Sequence, residues 1–427
     1  MTKILVFMTL AVRLLTFSGQ TTGQSPAAPT AAPPPSDTAI PDQFRASYQE
    51  LDDTLRHANQ TYPFQKADPR PLVAPCLTMA SSFYCPSTAD PQPWKDLLAT
   101  LDAFKAMNMK AVLVQIAAPD LAVGDTHALV DYYQRLAREI HSRDMKLYVE
   151  HFVNVPFQPN LPPGSHADKN SPTRIDLRDD PQGRKDFLDI LEKENSLIYR
   201  EIQPDYLSVL TEPEASIIQT LHLSFSADEL ANWVGELTTR LKNTGASPNT
   251  LLGAGAVTSE PEDFVLKFAQ QPNLDYVDLH LYFLKMKGED QIAKLATLVG
   301  KIRQDRPNMK ITIGEAWLFK HSKQAPKVTS ISEIFSRDSF SFWSPLDQQF
   351  LTLLMGMAQK ENISVVVPYF SQYLFAYYTF GDAESSKLPP WPRSIPQSWN
   401  KAFESLRNHQ LSPTGKALRA MLAPAAN

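Results

Sequence analysis

The chain of 427 residues predicts a single α/β domain, a (β/α)8 TIM barrel carrying an N-terminal helical extension, on three observations. From about Pro71 onward, short apolar and β-branched runs alternate with longer amphipathic stretches, the pattern of strand–helix units around a parallel sheet. Eight such strand candidates occur, each followed by a helical stretch, which matches a closed barrel better than an open doubly wound sheet. Pro at 35 outnumbers Gly at 15, and neither GxGxxG nor GxxxxGK followed by Ser or Thr occurs. A sheet built around a glycine-rich nucleotide loop is therefore disfavoured.

Residues 1–24 carry a basic start at Lys3 and then an apolar run from Ile4 to Phe17 interrupted by Arg13. The run is shorter than a bilayer span, so it reads as a secretory signal peptide and the mature protein as secreted or periplasmic. Residues 25–41 are rich in Pro, Ala, Ser and Thr, a composition that favours an extended, solvated tether. Residues 42–70 form the extension, with Phe44, Tyr48, Leu51 and Leu55 near helical spacing over Phe44–Asn59. The barrel itself spans residues 71–427.

Its strands are expected at Leu72–Met79, Lys110–Ala117, Lys146–Val153, Tyr206–Thr211, Thr250–Val257, Tyr276–Phe283, Lys310–Ala316 and Ile363–Phe370. Helices are expected at Pro93–Met107, His127–Arg143, Gln182–Ile202, Ala227–Asn243, Pro261–Gln270, Asp290–Asp305 and Leu346–Gln359, with a closing helix near Ser398–Arg407. Asp180-Pro181 is a helix cap followed by Pro at the first helical position.

Hydrophobic residues at 43% and charged residues at 20% are those of a folded globular chain, and the net charge of -5 argues against a nucleic-acid partner. Cys76 and Cys85 are the two cysteines; in an oxidising compartment they could close a short loop, or they are two free thiols. No His cluster beside them supports zinc, and no cofactor motif occurs.

Barrel enzymes place their chemistry where strands end at the C-terminal face. There the sequence offers Glu150, His151 and Asn154 from the third strand, Thr211 and Glu212 from the fourth, and Asp278, His280 and Tyr282 from the sixth. The seventh delivers Glu315 followed by Trp317, and the eighth ends in the aromatic run containing Tyr369. Glu212 and Glu315 both terminate apolar strands, where an isolated carboxylate is costly to bury without a purpose. Two carboxylates across a cleft suit glycosidic bond cleavage, one protonating the leaving oxygen while the other attacks the sugar or activates water.

From Leu72 to about Phe380 the chain resembles the retaining glycoside hydrolases of clan A, which include many cellulases, mannanases, galactanases and β-galactosidases. The likeness rests on Thr211-Glu212-Pro213 and Gly314-Glu315-Ala316. It implies that Glu212 is the general acid and then base, and that Glu315 is the nucleophile of a double displacement on a β-linked oligo- or polysaccharide. It also implies that Tyr282 donates to Glu315 and that His280 lines the sugar site. Thr211 stands where that clan usually has Asn, and the eighth strand shows Tyr369, Phe370 and Tyr373 in place of the clan's usual Trp. His151 is expected to bind a sugar hydroxyl, and Trp317 and Tyr369 to pack on sugar rings. Phe342, Trp343 and His321 lie in the longest loop at the same face. Two alternatives accompany this reading: a carbohydrate-binding barrel without turnover, and a metal-dependent sugar isomerase or lyase in which His151, Glu212, His280 and Glu315 converge on a divalent cation.

Overall fold

In the computed structural model the described residues are 39–66, 70–81, 91–122, 126–153, 179–286, 288–320, 322, 337–388 and 394–424. The leader, most of the tether, Cys85, Asn154 and His321 lie outside them. Eight parallel strands form one sheet: β1 (Leu72–Val73), β2 (Ala111–Ala118), β3 (Lys146–Val153), β4 (Tyr206–Ser208), β5 (Leu251–Val257), β6 (Tyr276–Leu281), β7 (Lys310–Ala316) and β8 (Val365–Pro368). Their order is β1-β8-β7-β6-β5-β4-β3-β2, so each pairs with its sequence neighbours. A parallel bridge between Cys76 and Leu113 joins the two ends and closes the barrel.

The helices are α1 (Asp42–Thr61), α2 (Pro91–Ala106), α3 (Thr126–Ser142), α4 (Pro181–Leu197), α5 (Ala227–Thr244), α6 (Glu262–Ala269), α7 (Gln291–Asp305), α8 (Ser344–Lys360), α9 (Ser394–Arg407) and α10 (Pro413–Leu422). Local chemistry sets their ends. Asp180 accepts the Gly183 N–H ahead of Pro181, and Ser226 with Glu229 forms a reciprocal capping box at the start of α5. No helix among the described residues is long and apolar enough to cross a membrane.

The expected first strand, Leu72–Met79, keeps only two ladder residues because Pro75 has no N–H to donate; its carbonyl instead accepts from Leu113. The fourth strand leaves the ladder after Ser208, although Val209 and Leu210 still exchange bonds with Gly253 and Gly255. Elements not expected from the sequence include the wide, π-type turn Pro213–Thr220 and helix α10. Helix α1 packs on α8. Phe44 stacks on Phe342 at 5.4 Å, Gln349 donates to Asp52 at 2.7 Å, and a Cβ on Gly356 would meet the Tyr62 carbonyl at 2.0 Å.

Two apolar clusters result. The larger fills the space between strands and helices, whereas the smaller lies inside the barrel and consists of Ala74, Cys76, Ala111, Leu113, Tyr148, Tyr206, Tyr276, Val365 and Val367. Strand periodicity of two places Tyr148 with Glu150, Tyr276 with Asp278 and His280, and Leu113 with Gln115 on the inward face. The barrel interior is thus layered. Above the apolar floor, Asp278 accepts from Tyr148 and Ser208 at 2.8 and 3.0 Å and from Thr312 at 2.6 Å. Burial disfavours its charge, but His280 and these hydroxyls outweigh that effect and hold the Asp278 carboxyl below the usual range. A Cβ on Gly314 would stand 2.3 Å from the Asp278 carboxylate, so this layer requires glycine there.

Candidate active site

Above that polar layer four buried side chains meet: Gln115 from β2, Glu150 from β3, His280 from β6 and Glu315 from β7. Glu315 follows an inward-facing residue and would by strict alternation point outward. A register shift between Leu279 and His280 sets His280 opposite Glu315 and skips Gly314, and a second irregularity lies on the β8 side. The bulge turns Glu315 into the barrel mouth.

Two donors and one charge contact hold the Glu315 carboxylate in place. Gln115 Nε2 donates to Oε1 at 2.5 Å, the Tyr282 hydroxyl donates to Oε2, and His280 Nδ1 lies 3.9 Å from Oε2. Gln115 is itself fixed, donating to Glu150 Oε2 at 3.0 Å and accepting from the Tyr369 hydroxyl at 2.9 Å. Tyr282 stacks on Phe319 at 4.6 Å and meets Tyr369 edge-on at 5.9 Å.

Glu212 enters from the other side. Its backbone is left-handed, with φ 50° and ψ 51°, and it precedes Pro213, so both its own Cβ and the following ring oppose this geometry. The conformation turns the side chain toward His280, whose Nδ1 lies 2.8 Å from Glu212 Oε1. The Glu212 side chain is 16% exposed, against 7% for Glu315 and 0% for His280 and Glu150. Glu212 is therefore the carboxylate of this set that most faces solvent.

The electrostatics follow from crowding acids around one imidazole. Burial acts to lower the proton affinity of His280, but the charges of Glu150 and Glu315 raise it well above that of an ordinary histidine. Nε2 lies 3.0 Å from Glu150 Oε1, a charge contact without hydrogen-bond alignment. Burial, and after it the Glu150 charge, push Glu315 well above the ordinary carboxylate range, with the imidazolium acting in the opposite sense. The Tyr282 hydroxyl reaches Glu315, but the expectation that this bond holds the carboxylate ionised is corrected: the nucleophile candidate is buried among like charges that favour its protonation.

His151 is a second correction. It follows Glu150 on β3, faces the helices, and its Nε2 contacts Glu194 of α4 at 2.8 Å, with 1% of its side chain exposed. Glu150 takes the inward place. Trp317 is 1% exposed and its ring packs on Phe370 and Tyr373, so it supports the aromatic wall and offers no open platform. Phe342 and Trp343 turn toward Phe44 and α1. Thr211 is buried beside Glu212, its hydroxyl without a hydrogen-bond partner among the described residues. Cys76 is buried in the barrel floor and forms no disulfide among the described residues.

Gln115 is a candidate-site residue that strand-end inspection passes over, and Glu150 is one that it offers without assigning it a role. Both were visible as polar interruptions of apolar strands, in AVLVQIAA and KLYVEHFV, at the parity of inward-facing residues. Among the described residues, one group could share a cation: single ligand atoms of Glu150, His280 and Glu315 lie within 4.8 Å of one another. Both Glu315 oxygens already accept hydrogen bonds, from Gln115 and Tyr282, and His280 supplies the compensating charge. The set is accordingly a hydrogen-bonded network. The four-residue cation cluster of the alternative reading is not assembled, because His151 contacts Glu194 on the helix side.

The chain matches no protein-family profile and no curated protein. Solved structures of similar shape include a β-mannanase from the blue mussel Mytilus edulis, with 11% identity over 78% of this chain and 92% of that one, at a TM-score of 0.40. A glycoside hydrolase family 5 enzyme from Prevotella bryantii shares 11% identity over 81% and 99% at 0.45. A putative fructose-1,6-bisphosphate aldolase from Coccidioides immitis shares 10% over 88% and 97% at 0.35. At such identities the chemistry has to be read from the side chains, and what they present is a (β/α)8 barrel whose mouth holds Glu212 and Glu315 on one shared histidine.

Proposed function

We propose that the protein is a glycoside hydrolase that cleaves a β-linked glycan with retention of configuration. The observation that carries this reading is the shared imidazole: the strand-4 and strand-7 carboxylates lie 2.8 and 3.9 Å from the same His280 nitrogen. Their facing oxygens are thus no further apart than those two distances combined. That bound accommodates the roughly 5–5.5 Å carboxyl separation of double displacement.

In the first step a Glu315 oxygen attacks the anomeric carbon while the glycosidic C–O bond breaks and Glu212 delivers its proton to the departing oxygen. In the second, Glu212 takes a proton from water, whose oxygen attacks the same carbon and releases Glu315 as carboxylate. Gln115 and Tyr282 orient the nucleophile throughout. Attack requires ionised Glu315, and the raised proton affinity of its site implies an acidic limb displaced upward in pH. The half-buried Tyr369 borders this mouth and is the aromatic ring best placed to meet a sugar. With its leader read as a signal peptide, the enzyme would act outside the cytoplasm.

The test is incubation with activated 2-deoxy-2-fluoro-β-glycosides followed by peptide mass spectrometry. A glycosyl adduct on Glu315 supports the reading. Glycan binding without turnover of any aryl glycoside would favour the binding barrel, and inactivity restored by a divalent cation would favour the isomerase or lyase.

A further inference from the structure

Glu260, in the loop after β5, is 3% exposed and pairs with no cation among the described residues. Its carboxylate takes two backbone donors from two different elements. Oε1 accepts the Ala215 N–H at 2.8 Å, within the turn that follows Glu212, and Oε2 accepts the Val257 N–H at 3.3 Å, at the end of β5. Its own carbonyl accepts from Lys294 of α7 at 3.0 Å, which ties the loop to the outer layer. Burial, then the neighbouring Glu212 charge, push Glu260 well above the ordinary carboxylate range. An acid in such a place is costly to keep, and its cost calls for a function.

That function is legible in the strain of its neighbour. A non-glycine residue in the left-handed region costs on the order of 1 kcal/mol or more, and persists only where its surroundings over-determine it. The Glu212 carbonyl is held from one side by the Ser216 N–H at 2.8 Å and the Ser216 hydroxyl at 2.6 Å. Those bonds lie within the turn and fix its shape, but not its place against the barrel. Glu260 supplies a bond that does, since it reaches from the turn's backbone to the rim of β5.

We propose that Glu260 is a positioning residue for Glu212, clamping the turn Pro213–Thr220 to β5 so that the strained Glu212 presents its carboxyl to the bond being broken. The inference rests on the reading of Glu212 as the general acid. A misplaced acid fails only where the leaving group needs its proton, and this separates the role from simple support of the fold.

The experiment measures kcat/KM, which reports the first step, for wild type and for Glu260→Gln and Glu260→Ala. Each is assayed on an aryl glycoside with a dinitrophenolate leaving group and on one with a poor phenolic or alcoholic leaving group. The Gln variant keeps the side-chain volume and one acceptor oxygen, so it reports even if the Ala variant does not fold. The expected result is a loss of at least tenfold on the poor leaving group with less than threefold change on the activated one. Equal losses on both substrates, or no loss on either, overturn the proposal. A wild type that hydrolyses no glycoside rejects the reading of Glu212 itself, a distinct outcome that takes the inference with it.

Discussion

His280 Nε2 lies 3.0 Å from Glu150 Oε1 with both side chains wholly buried, and the same ring presents Nδ1 to Glu212 at 2.8 Å. One imidazole therefore links a buried structural acid to the carboxylate that meets solvent. The charge state of His280 decides how the whole mouth is polarised, because it is the one cation in contact with these acids among the described residues.

Replacing Glu150 with Gln removes the largest charge that raises His280 and Glu315. His280 should then titrate at lower pH, observable as a downfield-to-upfield shift of its ring resonances beginning earlier in a pH series. The acidic limb of activity should move the same way, because Glu315 loses a repelling neighbour. The linkage sign agrees. A histidine raised on folding contributes stability fully below its unfolded value near 6.5 and loses it as pH rises through the folded value, so the variant should shed part of that stability near neutral pH. An unmoved His280 titration would reject the coupling.

Glu315→Gln and Glu212→Gln should each lower kcat on a natural glycan by about 10³-fold or more while circular dichroism and thermal unfolding stay close to wild type. Glu212→Gln should spare substrates with good leaving groups in the first step. Near wild-type turnover by either variant removes that residue from the mechanism.

Tyr282→Phe keeps the ring that stacks on Phe319 and deletes only the hydroxyl donated to Glu315. The loss of one charge-assisted bond is worth about 1.5–3 kcal/mol, or roughly 10- to 150-fold in rate. The acidic limb should move up, since ionised Glu315 has lost a donor. Unchanged rate and profile would make Tyr282 a packing residue.

Asp338 accepts the Lys320 N–H at 3.2 Å, its other oxygen has no hydrogen-bond partner among the described residues, and burial pushes it up to about 7 from 3.8. Folding thus favours its protonated form, so its contribution to stability declines as pH rises from about 4 to about 7 and stays low above. Asp338→Asn should raise Tm at pH 8 and leave little change at pH 4, the displacement being equivalent to about 4 kcal/mol at most. Equal Tm changes at both pH values would contradict this.

The sequence by itself determined the barrel. Eight apolar runs spaced by amphipathic helices bury both faces of every strand, and that requirement is written in composition along the chain, as AVLVQIAA and KLYVEHFV show. It also marked Glu212, His280, Tyr282 and Glu315, because a polar side chain ending an apolar strand stands out locally. What it did not carry was direction and partnership. Whether His151 or Glu150 faces inward depends on the parity of β3 against the barrel axis, which one residue of register reverses. Glu315 reaches the mouth only through the bulge at Gly314, itself enforced by the Asp278 carboxylate from another strand. Gln115 and Glu260 acquire meaning from partners 200 and 45 positions away. Those contacts exist only after the ring has closed, since hydrogen bonds between distant strands are fixed by three-dimensional register, which no local stretch of sequence encodes.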